Sequence, residues 1–215
     1  MWIQSHLMTG IRACHLALGT QRLHISSIAM ILLLVSGNAG RIALEVQPQP
    51  ATIMPGADYV PSPNCDDRSG KAPISCIVLH ATVAPTIEET IGIFLSPARK
   101  ASAHFVVGRD GRIVQMVPLE RRAWHAGYSV LDGVAHVNDF SIGIEMVNLN
   151  NGNDPYTEPQ FHAVARIIRF VRTRYDVPDA RIVSHAWIAL PAGRKSDPAG
   201  FDFDRVRTLA NGSTQ

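Results

Sequence analysis

The sequence predicts a single α/β domain built on a mixed central β-sheet flanked by helices. Three observations predict it. Strand-like and helix-like stretches alternate from residue 74 to residue 211, with no glycine-rich dinucleotide-binding turn. Asp110-Gly111 sits between two apolar runs and marks a tight hairpin, so one strand pair is antiparallel. The 215-residue chain shows no internal repeat, and its length suits one sizeable core.

The elements follow in order. Arg12, Arg22 and His24 precede the apolar run Ile25 to Val35, and small residues follow at Ser36-Gly-Asn-Ala-Gly40. Residues 1–40 therefore read as an export signal. The alternative is a retained membrane anchor, but the run is shorter than the roughly 20 apolar residues a span needs. Residues 41–73 hold Pro48, Pro50, Pro55, Pro61, Pro63 and Pro73, and read as a proline-rich arm or linker. Residues 74–211 form the predicted folded domain.

Ile74 to His80 is an apolar, β-rich strand. Thr86 is a helix N-cap with Glu88 and Glu89 in the first turn, where the helix dipole favours acids. Ser102 to Val107 and Arg112 to Val117 are the two arms of the hairpin, and residues 123–129 form a loop. Ser141 to Val147 is a further core strand. Glu158 to Tyr175 places Phe161, Val164, Ala165, Ile168 and Val171 at helical spacing. Arg181 to Ser184 is a short strand, and Phe203 to Ala210 a last helix.

Composition narrows the function. The net charge is +2, and removing residues 1–40 leaves 18 basic against 18 acidic residues. That balance gives no footprint for nucleic acid. Removing the same segment takes Cys14 and leaves Cys65 and Cys76. In an oxidising compartment this even pair is expected to form a disulfide pinning the arm to the first core strand.

Residues 184–200 concentrate metal chemistry. His185 and Asp197 are both zinc-ligand types, and Pro191 and Gly193 let the chain loop back between them. A catalytic zinc needs a third protein ligand, and His80 at the end of its strand is the best placed. Glu145 stands among apolar neighbours, where a carboxylate is costly unless paired, hydrated or functional.

Four motifs occur in one order: Val-Leu-His80, Trp124-His-Ala-Gly127, Ser141-Ile-Gly-Ile-Glu145 and Gly193-Arg-Lys-Ser-Asp-Pro198. Together they resemble the zinc-dependent N-acetylmuramoyl-L-alanine amidases of type 2, over roughly residues 70–205. The resemblance implies Zn²⁺ held by His80, His185 and Asp197, and Glu145 as the base that takes a proton from water. It implies a peptidoglycan or muropeptide substrate, cut between the lactyl group of N-acetylmuramic acid and L-alanine. Lys195, two residues before Asp197, faces the same side in extended backbone and suits the oxyanion. By the same parity Arg194 points away, toward a structural or rim role. Trp124 and His125 suit a sugar- or peptide-binding wall, and His104 either touches substrate or is a buried structural residue.

Two departures from the family pattern stand out. His185 and Lys195 are two residues further apart, and Ala81 replaces the usual polar residue after the first ligand. The expected protein is an exported amidase, periplasmic or secreted, with no stable membrane span after signal cleavage. The alternatives are a non-catalytic peptidoglycan-binding module and a zinc hydrolase of another amide.

Overall fold

The computed structural model describes residues 52–68 and 72–212. The expected signal segment and the first part of the arm lie outside the described residues. In chain order the elements are β1 (Asp58–Tyr59), β2 (Cys65–Asp67), β3 (Cys76–Ala81), α1 (Ile87–Leu95), β4 (Phe105–Val107), β5 (Ile113–Gln115) and β6 (Arg121–Ala123). Then come β7 (Val130–Leu131), β8 (Val134–Ala135), β9 (Ser141–Met146), α2 (Glu158–Arg172), β10 (Ile182–Ser184), α3 (His185–Ile188) and α4 (Phe203–Asn211).

Six strands form the mixed sheet that the sequence predicts, in the order β1-β5-β4-β9-β3-β10. The β4–β5 hairpin is antiparallel, with Val106 opposite Val114, and every other pairing in this sheet is parallel. The proline-rich stretch does more than cross the domain. Its β1 adds an edge strand beside β5, and its β2 pairs with β6 in a small separate sheet.

Strand alternation divides the core between two faces. Ile77, Leu79, Phe105, Val107, Ile142, Ile144 and Met146 pack beneath α2 and α4, against Phe161, Val164, Ile168, Val171 and Val206. Fully burying each such side chain contributes about 1.5–3 kcal/mol. Val106 and Val114 face the other way, onto Ile87 and Phe94 of α1. The same alternation turns His80, Ser141, Gly143 and Glu145 away from α2 and toward the site.

The caps agree with local chemistry. Thr86 accepts from the backbone N–H of Glu89. Thr157 opens α2 with a full capping box, reciprocated by Gln160. Asp202 caps α4 through the N–H of Arg205.

The expected disulfide is not formed: Cys65 and Cys76 are both free thiols. Cys76 is fully buried beside Val78 and Val183, whereas Cys65 sits opposite Ala123 in the small sheet. The two residues belong to different sheets, and an even cysteine count carries no information about that.

Candidate metal centre and catalytic site

Register explains how two histidines 105 positions apart become neighbours. Leu79 of β3 lies opposite Ser184 of β10, so the next residues, His80 and His185, emerge side by side at the strand ends. Asp197 returns to them through the loop after α3. Gly193 has φ +82°, which the loop needs for its reversal. The loop closes where Ser184 Oγ and the Ala186 N–H both donate to the Asp197 carbonyl, at 2.8 and 3.0 Å.

The three residues are 1%, 4% and 7% exposed, so the cluster is buried. His80 Nδ1 lies 3.0 Å from His185 Nδ1, and Asp197 Oδ2 lies 3.1 Å from the second and 3.4 Å from the first. Hydrogen bonds on the far sides of the rings assign the protons. His185 Nε2 faces the Ala126 carbonyl at 3.1 Å. A carbonyl only accepts, so Nε2 carries the proton and Nδ1 is a bare lone pair. Ser141 Oγ donates to the Val137 carbonyl at 2.6 Å and so accepts from His125 Nε2 at 3.2 Å. His125 Nδ1 then accepts from His80 Nε2 at 3.0 Å, which leaves His80 Nδ1 bare as well.

Two lone pairs and a carboxylate thus converge with no proton among them. Such a trio repels itself unless a cation lies between. Ligand atoms about 2.1 Å from a tetrahedral zinc stand about 3.4 Å apart, close to the spacings here. The donor set fits a metal ion, and among the described residues this is where such a set occurs. Electrostatics agree. Burial pushes His80 down to about 4, only partly opposed by Asp197, so the ring is neutral as a ligand requires.

Glu145 lies directly opposite His80 in the β3–β9 register. Burial pushes its carboxyl up to about 8, the Asp197 charge adds to the rise, and the Lys195 charge opposes it. Its Oε2 is buried without a hydrogen-bond partner among the described residues. Lys195 is exposed beside the cluster. Arg194 takes a structural role, donating to the carbonyls of Leu190, Ala126 and Tyr128 at 2.7, 3.2 and 2.8 Å, the second of which also meets His185 Nε2.

The residues expected at a substrate wall divide. Trp124 is half-buried, with Nε1 donating to Asp66 at 3.1 Å, and keeps a partly open face. His125 turns inward, both ring nitrogens being committed to His80 and Ser141. His104 offers no surface to a substrate. It is fully buried, accepts from the Gly143 N–H at 3.0 Å and donates to the Arg121 carbonyl at 3.1 Å. Sequence reading missed Ser141 and Asn138. Asn138 Oδ1 accepts from the N–H groups of His125 and Ala126. For Ser141 a signal existed, since Ser141, Gly143 and Glu145 share one strand face.

The fold and the cluster first define a class, a mixed-sheet α/β domain with a buried His-His-Asp group able to hold a metal ion at the C-terminal ends of parallel strands. Within it, the chain belongs to the N-acetylmuramoyl-L-alanine amidase family, whose profile matches residues 70–200. It is 35% identical over 178 residues to the 1,6-anhydro-N-acetylmuramyl-L-alanine amidase AmpD of Citrobacter freundii, covering 74% of this chain and 92% of that protein. A crystal structure of a selenomethionine AmpD derivative aligns with a TM-score of 0.61 at 33% identity, covering 73% of this chain and 96% of that one. The Escherichia coli amidase AmiD, in complex with anhydro-N-acetylmuramic acid-L-Ala-D-γ-Glu-L-Lys, aligns with a TM-score of 0.59 at 26% identity. That alignment covers 68% of this chain and 62% of AmiD.

Proposed function

We propose that this protein is a zinc-dependent N-acetylmuramoyl-L-alanine amidase acting on peptidoglycan or muropeptides. It hydrolyses the amide between the lactyl group of N-acetylmuramic acid and L-alanine. The observation that carries this reading is the buried His80–His185–Asp197 cluster with Glu145 opposite His80, in a chain of this family. The relatives named above act on, or are bound to, anhydromuramyl peptides.

Zinc, when bound, would polarise the lactyl carbonyl and make the attacking water more acidic. The protein supplies the rest. His80, His185 and Asp197 hold the ion. Glu145, ionised once the charge of a bound metal offsets the burial that raises its carboxyl, takes a proton from the water as its oxygen bonds to the carbonyl carbon. The same proton passes to the alanine nitrogen as the carbon–nitrogen bond breaks, giving a lactyl carboxylic acid and a free amine; the acid then gives up the water's second proton to solvent or to the amine. Lys195 places positive charge beside the oxyanion that forms between these steps. Trp124 offers a face to the sugar or the stem peptide.

Export is a further part of the proposal. It rests on the sequence of residues 1–40, outside the described residues. No helix among the described residues is long and apolar enough to cross a membrane. The mature N-terminus, read by mass spectrometry of protein recovered from outside the cytoplasm, tests it. Full-length protein retained inside overturns export and leaves the enzymology untouched.

The deciding experiment is mass spectrometry of a muropeptide digest by the protein as isolated, with chelator, and with zinc restored. Released stem peptide plus free amino sugar, abolished by chelator and recovered by zinc, establishes reaction and metal together. No cleavage by folded, zinc-loaded protein overturns the proposal.

A further inference from the structure

Both ligand histidines are held from behind by one loop. His125 accepts the Nε2–H of His80, and the carbonyl of the next residue, Ala126, accepts that of His185, at 3.0 and 3.1 Å. The loop's own N–H groups at 125 and 126 both donate to Asn138 Oδ1, at 3.2 and 2.8 Å. Asn138 is fixed in turn by Arg68, whose guanidinium donates to the carbonyls of Asn138, Asp139 and Ser141 at 3.0 to 3.1 Å.

A second, independent observation concerns Gly143. A Cβ built on it would stand 2.5 Å from Cγ and 2.8 Å from Nδ1 of His125, inside any real contact distance. The His125 ring therefore lies against the bare backbone of β9, and a side chain at 143 would displace it. Ser141, Gly143 and Glu145 fall on one face of that strand. The first accepts from the His125 ring, the second clears space for it, and the third faces the ligand that the ring holds.

We infer that His125 is a positioning residue of the metal centre. It fixes the tautomer and plane of His80, with Ser141 and Gly143 seating its ring and Arg68 of the N-terminal arm bracing the segment behind it. This inference rests on the zinc reading above and adds residues that never touch the ion or the substrate. A histidine whose outer N–H is unpartnered can exchange tautomers, and half of that exchange places a proton where a lone pair must point.

The test uses full-length apo-protein and zinc alone. Zinc affinity is measured by competition with a chromophoric chelator, with melting curves of the metal-free proteins alongside. His125→Ala and Gly143→Ala each weaken zinc binding by roughly 10–100-fold, the usual cost of losing such a partner. Ser141→Ala weakens it in the same direction, and Ser141→Thr, which keeps the hydroxyl, restores it. Wild-type affinity in folded His125→Ala and Gly143→Ala overturns the inference.

Nitrogen-15 NMR of the imidazoles adds a readout that simple loosening of the fold would not move. His80 carries its proton on Nε2 in the metal-free wild type and becomes a tautomer mixture in Ser141→Ala. A His80 protonated on Nδ1 in the wild type overturns the relay, even if neither His125→Ala nor Gly143→Ala folds. A wild-type protein that binds no zinc sinks the proposed function first, and the NMR measurement still decides the relay.

Discussion

His80 and Glu145 are direct partners across β3 and β9, the two central strands of the sheet. Paired residues in a parallel ladder send their side chains to the same face, so the proposed zinc ligand and the acid share one wall of the site. Glu145→Gln keeps the shape and removes the base. Zinc content is expected to stay at the wild-type level while kcat falls by roughly 10²–10⁴-fold. Near-wild-type turnover would remove Glu145 from the mechanism.

Lys195 offers its charge from an exposed loop position. Lys195→Ala is expected to lower kcat by roughly 10²–10³-fold with a smaller change in KM, because the oxyanion exists only in the transition state. Steady-state kinetics on a defined muropeptide separates the two constants. A change confined to KM would make Lys195 a substrate-binding group instead.

Zinc held as proposed would favour the folded cluster over the unfolded chain, whose His80 and Asp197 lie 117 positions apart in the sequence. At a free zinc concentration about 100 times the dissociation constant, folding gains about 2.7 kcal/mol. The melting temperature should therefore rise with zinc, and Asp197→Ala should abolish that rise. A zinc-independent melting curve for the wild type counts against the site.

Cys65 and Cys76 are predicted to differ in reactivity. Burial pushes the Cys76 thiol up to about 12, and the side chain is fully covered, so almost no thiolate exists at neutral pH. Mass spectrometry after brief alkylation of native protein should show Cys65 labelled and Cys76 labelled only after unfolding. A mass short by two hydrogens, restored by reductant, would revive the disulfide.

Thr157→Ala removes the hydroxyl that accepts from the Gln160 N–H at the start of α2 and its 2.6 Å bond to the Arg109 carbonyl. The expected cost is about 1–2 kcal/mol, read as a lower denaturant midpoint at unchanged slope. An unshifted midpoint would show that tertiary packing alone holds that helix end.

Much of this was legible in the sequence because it is local. The hydrophobic period placed α2, Asp110-Gly111 placed the hairpin, and Thr86 and its two glutamates placed the start of α1. The cluster of His80, His185 and Asp197 was legible because few side chains can hold zinc and the motif order left little choice. What stayed hidden depends on packing between distant segments. Nothing near His125 in the sequence says that its ring lies against Gly143 with Ser141 at its far edge. His104 looks the same whether its nitrogens meet a substrate or two backbone groups. The cysteines count as a pair in the sequence and are separated only by the sheets they join.

The small hairpin of β7 and β8 leaves the 123–127 loop and returns at residues 137–140. Its tip, Asp132-Gly133, is exposed, and the Asn138 amide closes the base behind it. The chain thus makes an excursion whose two ends are clamped together independently of what lies between. That makes the tip a natural attachment point. A fluorophore, an affinity handle or a guest wall-binding domain spliced between Asp132 and Gly133 would hang from the enzyme without pulling on either histidine.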